Sequence, residues 1–232
     1  MPFLLTAVFG FTLPFFARRF GKFMPADAGT MLCRAFHRPR FAAPADEKRR
    51  LSRRRLWIKL CAAGVFWMLF LCAAELALPV LNLPPFYLFF IYMTALLALI
   101  DEKIRLLPDA LTVPLLIAGF FGAATGLTDM PAGASAFGAL AGFALPTLAT
   151  LVMTPFRSRA MGGGDFKTLA AVGAWTGFVD LTIAVFLSFF FFALIAFFKK
   201  SKEGPYGLSL FLGVLTVFVL EAFQIVGLFF AG

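Results

Sequence analysis

The heptapeptide Met161-Gly-Gly-Gly-Asp-Phe-Lys167 places a carboxylate, Asp165, directly after three glycines in a chain that is otherwise largely lipid-soluble. Glycine allows two backbones to approach closely and tolerates positive φ. A charged side chain at the edge of a membrane helix is costly and usually marks a function. A second acid, Asp101, ends an earlier apolar run. Whether the two acids meet depends on how the chain crosses the membrane.

The composition predicts an integral membrane protein. Of the 232 residues 61% are hydrophobic and only 14% are charged, whereas a soluble domain carries about 25% charged residues. The mean hydropathy is +0.91, and apolar runs recur at the length of a membrane helix, about 17–25 residues. Because lipid leaves backbone groups to be satisfied within the segment, these runs are expected to be helices. The predicted fold is an all-α polytopic transmembrane helix bundle, one membrane domain over residues 1–232.

About eight membrane helices are predicted from the apolar runs. They cover residues 3–17, 56–83, 86–100, 108–127, 133–153, 165–179, 181–198 and 208–230. The first run precedes Arg18-Arg19 instead of following basic residues, which is the reverse of a secretory signal peptide. An uncleaved first helix with its N-terminus outside is therefore expected.

The basic residues predict the orientation. Thirteen of the 21 Lys and Arg lie between residues 18 and 59, a short basic cytoplasmic loop in this interpretation. If the sides alternate from an outside N-terminus, all 21 fall on the inner side, as the positive-inside rule requires. The net charge of +9 is thus explained without nucleic-acid binding. The chain is expected in the cell inner (plasma) membrane, with Asp101 and Asp165 together at the cytoplasmic face.

Each acid has an ordinary structural interpretation when it is taken alone. Asp165 has the position of a helix N-cap, and Asp101 could form a screened surface ion pair. Asp109, which follows Pro108 at a helix start, is the most cap-like of the three. As a pair at one depth, however, two carboxyl groups can share a water, because repulsion keeps one protonated and the other ionised. Such a pair hydrolyses peptide bonds by general acid and base catalysis.

The residues around Asp165 suggest how a substrate would be held. Gly162 and Gly164 would let an extended peptide lie beside the acid without a side-chain clash. Lys167 would position the substrate, or would anchor its helix at the headgroups. No metal site is predicted, since the single histidine and the scattered Cys33, Cys61 and Cys72 do not form a ligand cluster.

Three ordered motifs resemble type IV prepilin peptidases, which belong to the GxGD class of intramembrane aspartyl proteases. Residues 162–167 are similar to the Gly-x-Gly-Asp-Phe-Lys signature of that family. Ile100-Asp101 with the later Leu107-Pro-Asp109 resembles its first aspartate motif, and residues 204–213 resemble its late motif. The resemblance extends over residues 86–230 and implies that Asp101 and Asp165 are catalytic.

The resemblance also implies substrates and a second activity. The substrates would be type IV prepilins or type II secretion pseudopilins, cut after a short basic leader at the cytoplasmic membrane face. Proteolysis would need no cofactor, whereas many members then methylate the new N-terminus with S-adenosylmethionine. This chain lacks the paired cysteines that bind zinc in the larger cytoplasmic loop of many members, which leaves methylation open.

Two other functions fit parts of the sequence. Glu75 and Glu221 lie within predicted membrane helices and would line the path of a small transporter or channel. The structural alternative is a hydrogen-bonded acid, with Gln224 as the expected partner of Glu221. A catalytically silent relative that binds pilins is the other alternative.

Overall fold

A computed structural model describes residues 2–23, 47–81, 83–104, 107–153, 163–199 and 206–222. All regular structure in these ranges is helical. The helices are α1 (Pro2–Phe23), α2 (Glu47–Ala77), α3 (Tyr87–Ile104), α4 (Asp109–Thr125), α5 (Ala132–Met153), α6 (Gly163–Lys199) and α7 (Tyr206–Ala222). The predicted all-α membrane bundle is confirmed. The basic segment 18–59 is helical at both ends, through residue 23 and from residue 47, and its middle lies outside the described residues.

Within the described ranges, three segments are long and apolar enough to cross a bilayer: Lys59–Ala77, Ala132–Leu151 and Gly163–Phe198. The last of these joins the predicted sixth and seventh helices, so the described residues contain seven helical elements and not eight. The orientation of the N-terminus stays a prediction.

Helix α6 is bent back on itself at Gly177. This residue has φ 74° and ψ −176° within otherwise helical backbone, a conformation that essentially only glycine adopts. Asp165 and Phe192 line the same cavity, although a straight helix would separate them by about 40 Å at 1.5 Å per residue. A Cβ on Gly173 would also lie 3.0 Å from the Leu181 side chain. We call residues 163–176 arm α6a and residues 178–199 arm α6b; they correspond to the two helices predicted there.

Helix α4 begins and ends where its sequence dictates. Pro108 is the N-cap, with extended backbone at φ −74° and ψ 131°. A proline is suited to this position because it cannot donate a helical hydrogen bond and none is needed there. At the other end Gly126 takes the left-handed conformation at φ 71°, and Leu127 donates its N–H to Gly122 O at 2.9 Å. This is a glycine-terminated helix end that satisfies the last carbonyls. Asp109 is therefore fixed in the first turn of α4.

The fully buried Trp175 joins α3, α4 and arm α6a. Its Nε1–H donates to Leu115 O at 2.8 Å, and the hydroxyl of Tyr87 donates to the Trp175 carbonyl at 3.1 Å. Its ring stacks on Phe86 and Phe90 with centroids 5.0 and 5.1 Å apart. Buried aromatic pairs of this kind contribute beyond their apolar area. The helices that carry Asp101 and Asp165 are thus held together by one large side chain.

Candidate active site

Asp101 is buried at the end of α3 and is held by the start of α7. Its side chain is 6% exposed, and the backbone N–H of Gly207 donates to its Oδ2 at 2.7 Å. The first N–H groups of a helix have no partner within the helix and carry partial positive charge. Such an N–H group can donate a charge-assisted hydrogen bond to a carboxylate.

The absence of a side chain at residue 207 is needed for this contact. A Cβ at Gly207 would lie 3.0 Å from Asp101 Oδ2 and 3.1 Å from Asp101 Cβ. Both distances are tighter than ordinary carbon contacts, so any larger residue would push the carboxylate away. Gly207 therefore sets the position of Asp101.

Asp165 lies in the first turn of α6 and borders the same end of α7. It lines a cavity together with Tyr206, and it is close enough for its charge to act on the Tyr206 phenol. Asp101 contacts Gly207, the next residue. The two acids therefore border the dipeptide Tyr206-Gly207 at one end of the bundle.

Tyr206 is fixed by a hydrogen bond to arm α6b. Its hydroxyl lies 2.7 Å from Ser188 Oγ. The Ser188 hydroxyl also lies 2.7 Å from Val185 O, which ties the pair to the backbone of arm α6b. The phenol ring is thereby held between arm α6b and Asp165.

Gly164 is packed against the loop that precedes α4. A Cβ on Gly164 would lie 3.0 Å from Leu107 Cβ and 3.2 Å from Leu107 O. The missing side chain thus allows the loop to approach the residue next to Asp165. Substrate binding by Gly164 stays a prediction, and Gly162 lies outside the described residues.

Lys167 and Asp109 form a bidentate ion pair. The Lys167 Nζ donates to both carboxylate oxygens of Asp109 at 2.8 Å, and the two side chains are 39% and 29% exposed. The pair fastens the first turn of α4 to the first turn of α6, two residues from Asp165. Asp109 is cap-like in position, as expected, but its side chain serves the contact between two helices. The role of Lys167 with a substrate is not tested by this contact.

The cavity beside Asp165 is large and almost wholly apolar. Its volume is about 690 Å³, within the range of pockets that hold ligands. It lies between α5, both arms of α6 and the start of α7, and among the described residues Asp165 is its only charged lining residue. The lining residues are Ala141, Gly142, Leu145, Pro146, Ala149, Thr150, Asp165, Leu169, Phe178, Leu181, Thr182, Val185, Phe186, Phe189, Phe192 and Tyr206.

The other membrane acids lie away from this site. The carboxyl of Glu221, near the far end of α7, lies beside the carboxyl of Asp180 of arm α6b. The predicted partner Gln224 lies outside the described residues. Glu75 has one carboxyl oxygen, Oε2, buried without a hydrogen-bond partner in the described part of the chain.

Tyr206 and Gly207 are the site residues that the sequence did not single out. The sequence did place them in a motif, residues 204–213, but a motif does not say which member contacts an acid. A glycine that touches a carboxylate through its backbone N–H carries no chemical signature of its own. Only the packing of α7 against the end of α3 shows its role.

Comparison with known proteins places these features in a family. The model of the type IV leader peptidase family matches residues 88–197, which include both acids. The prepilin leader peptidase/N-methyltransferase of Escherichia coli is 32% identical over 158 residues, 63% of this chain and 69% of that relative. The proteins of the same name from Klebsiella pneumoniae and Pseudomonas aeruginosa are 38% and 40% identical over 40% of this chain. The chain spans 41% and 32% of the length of those two relatives. No solved structure matches the chain.

The segment that the family model matches carries both acids. The family model begins in α3, ahead of Asp101, and ends in arm α6b, beyond Asp165. The Escherichia coli relative is similar over a stretch long enough to exceed this core. The sequence-based recognition is confirmed by both comparisons: the chain belongs to the type IV leader peptidase family.

Proposed function

We propose that this membrane protein is an aspartic endopeptidase that removes the leader of type IV prepilins or type II secretion pseudopilins, with Asp101 and Asp165 as its catalytic pair. The observation that carries the proposal is the convergence of both acids on Tyr206-Gly207. Three distant parts of the chain, the end of α3, the start of α6 and the start of α7, supply this arrangement. Family membership supports the same class of reaction.

The proposed reaction uses one ionised and one protonated carboxyl group. The ionised group takes a proton from a water held between the pair, and the water oxygen attacks the carbonyl carbon of the scissile peptide bond. The protonated group gives its proton to the carbonyl oxygen, which forms a neutral tetrahedral intermediate. The C–N bond then breaks as the leaving amine takes the proton that came from the water, and one hydroxyl of the intermediate returns its proton to the other carboxylate, which restores the starting pair. The pair titrates as a unit, so neither acid is assigned to one role.

The charge distribution supports an active site at the cytoplasmic face of the inner membrane. In the alternating topology all Lys and Arg lie on that side. Asp101, Asp165 and the Lys167–Asp109 pair lie at one end of the bundle. A substrate with a basic leader in the cytosol would meet the acids there.

The geometry favours the peptidase over a transporter. A transport path would need Glu221 to face a polar passage, whereas its carboxyl group lies beside that of Asp180. The cavity that does exist is apolar and reaches Asp165. This combination suits an apolar polypeptide better than an ion.

N-methylation of the product stays a prediction from the names of the relatives. S-adenosylmethionine would need donors and acceptors for its base and ribose, and a partner for its carboxylate. In the described residues the cavity offers Asp165 as its only charge, and Lys167 is engaged by Asp109. These residues do not fit the methyl donor, and no step through it is derived.

The test is co-expression or reconstitution with a type IV prepilin, followed by mass spectrometry of the product. Leader loss and an added methyl group appear as separate mass changes. Asp101→Ala and Asp165→Ala should each abolish leader loss while the protein still inserts into the membrane. The proposed pair would be wrong if either variant cut the prepilin at the wild-type rate. A wild-type protein that binds prepilin and leaves it uncut would identify the silent relative.

A further inference from the structure

Both arms of α6 reach the first residue of α7. Asp165 of arm α6a lines the cavity beside Tyr206, and Ser188 of arm α6b has its Oγ 2.7 Å from the Tyr206 hydroxyl. Because the helix is bent at Gly177, these two distant residues of α6 meet the same side chain. Tyr206 therefore connects a hydroxyl on one arm to the proposed catalytic acid on the other.

Ser188 is held firmly between arm α6b and α7. Its side chain is fully buried, and its Oγ also lies 2.7 Å from Val185 O. Gly213 lies about two turns beyond Tyr206 and so on the same face of α7. A Cβ on Gly213 would lie 2.5 Å from Ala184 O and 3.3 Å from Ser188 Cβ, so the missing side chain lets α7 approach Ser188 closely. Ser188 thus contacts α7 at two successive levels of that helix.

The position of α7 also decides where the other acid lies. Gly207, the residue after Tyr206, donates its N–H to Asp101 Oδ2 at 2.7 Å. A shift in the first turn of α7 would therefore move Asp101 relative to Asp165, which is carried by α6. The hydrogen bond between Ser188 and Tyr206 opposes such a shift because it ties that turn to α6.

We propose that Ser188 is a positioning residue for the cleavage reaction. Through the Tyr206 hydroxyl it fixes the start of α7, and with it the separation of Asp101 and Asp165. The proposal rests on the proposed peptidase function and extends it to a residue of arm α6b that acts through its neighbour. The competing explanations are a direct role of the phenol on the substrate and a bond that serves only stability.

The first experiment is a cycle of Ser188→Ala, Tyr206→Phe and the double variant, assayed by steady-state cleavage of a reconstituted type IV prepilin. We expect each single change to lower kcat roughly tenfold with KM unchanged, because the acids are misaligned. The double variant should lose no more than either single one, since the two hydroxyls act as a unit. Wild-type kcat in Ser188→Ala would overturn the proposal. A much larger loss in Tyr206→Phe alone would also overturn it, in favour of direct action of the phenol.

Ser135→Ala is the matched control for stability. Ser135 is likewise fully buried, and its Oγ donates to Ala174 O at 2.7 Å, from α5 to arm α6a. Ala174 lies about 14 Å along the helix from Asp165 at 1.5 Å per residue. We expect Ser135→Ala to keep wild-type kcat even where its thermal unfolding midpoint falls. An equal loss of kcat in both serine variants would reduce the role of Ser188 to general stability and overturn the proposal.

The pH profile of kcat provides a measurement that a change in stability alone does not shift. Repulsion between two close carboxylates delays loss of the second proton of the pair, and this effect weakens as the acids separate. The alkaline limit of the profile should therefore move to lower pH in Ser188→Ala. The neighbouring charged residues Glu102, Asp109 and Lys167 are the same in every variant. An unshifted alkaline limit would contradict a change in the separation of the acids.

Infrared titration separates this proposal from the peptidase assignment, because it needs no turnover. The protonated carboxyl band that disappears in Asp165→Asn is followed with pH in the wild type and in Ser188→Ala. Loss of this band at lower pH in Ser188→Ala would support the positioning role, even if the wild type cut no prepilin and the peptidase assignment failed. Loss at the same pH in both proteins would overturn the positioning role whatever the activity.

Discussion

Replacement of Gly207 by Ala tests the position of Asp101 more sharply than removal of the acid. The new Cβ would lie 3.0 Å from Asp101 Oδ2 and 3.1 Å from Asp101 Cβ. The carboxylate must move by a few tenths of an ångström, and the 2.7 Å hydrogen bond from the residue 207 N–H lengthens or bends. All ionisable atoms of the site remain, so any change in rate reports geometry.

The expected size follows from that one contact. A hydrogen bond to a charged group contributes about 1.5–3 kcal/mol, and each 1.36 kcal/mol corresponds to about tenfold in rate. Loss of the alignment should therefore lower kcat for leader removal roughly ten- to hundred-fold. KM should change little, because the lining of the apolar cavity beside Asp165 is untouched. A larger residue at the same position, as in Gly207→Val, should lower kcat further.

The assay is steady-state cleavage of a reconstituted prepilin by purified protein, with the thermal unfolding midpoint measured on the same sample. Gly133→Ala is the matched control, because a Cβ there would meet nothing within 4 Å. It should leave both kcat and the unfolding midpoint unchanged. Wild-type kcat in a correctly folded Gly207→Ala protein would refute the argument that this glycine positions a catalytic acid.

Three further changes test other parts of the structure. Asp109→Asn and Lys167→Met should each lower kcat about tenfold by loosening α4 from α6, with at most about 1 kcal/mol of stability lost because the pair is partly exposed. The double variant that exchanges the two residues, Asp109→Lys with Lys167→Asp, should recover activity. A rise in KM confined to Lys167→Met would instead indicate substrate binding. Trp175→Phe should lower the unfolding midpoint in detergent, since it removes the hydrogen bond to the Leu115 carbonyl, which contributes about 0.5–1.5 kcal/mol; an unchanged midpoint would contradict the central role of this ring. The pH profile of kcat should be bell-shaped, because activity is lost when the ionised carboxyl gains a proton and when its partner loses one; a flat profile from about pH 4 to 9 would exclude the carboxyl pair.

Much of the architecture could be predicted because membrane helices can be identified from the hydropathy of the sequence and from the placement of its basic residues. The sequence predicted separate helices at 165–179 and 181–198, and the break was found at Gly177. One side of the membrane was predicted for Asp101 and Asp165, and both acids border α7 at one end. Helix ends were less accurate: α2 begins at Glu47 instead of residue 56, because a basic polar stretch can continue a helix beyond the lipid.

The contacts between helices could not be predicted. A sequence does not show that Lys167 pairs with Asp109 or that Asp180 pairs with Glu221, because each pair joins residues far apart along the chain. Lys167 alone suggests a substrate contact or a lipid anchor equally well. Gly207 could not be distinguished from the other glycines until its neighbour was known to be Asp101.

The bend at Gly177 fixes how the two arms of α6 are placed relative to each other. One arm carries Asp165, one of the two proposed catalytic acids, and the other lines the apolar cavity beside it; the backbone torsions of Gly177 join the two arms. A side chain at residue 177 would be strained at φ 74° and ψ −176°. Relief of that strain would move Asp165 relative to the cavity wall, so a change at this distant glycine would reach the site without touching it.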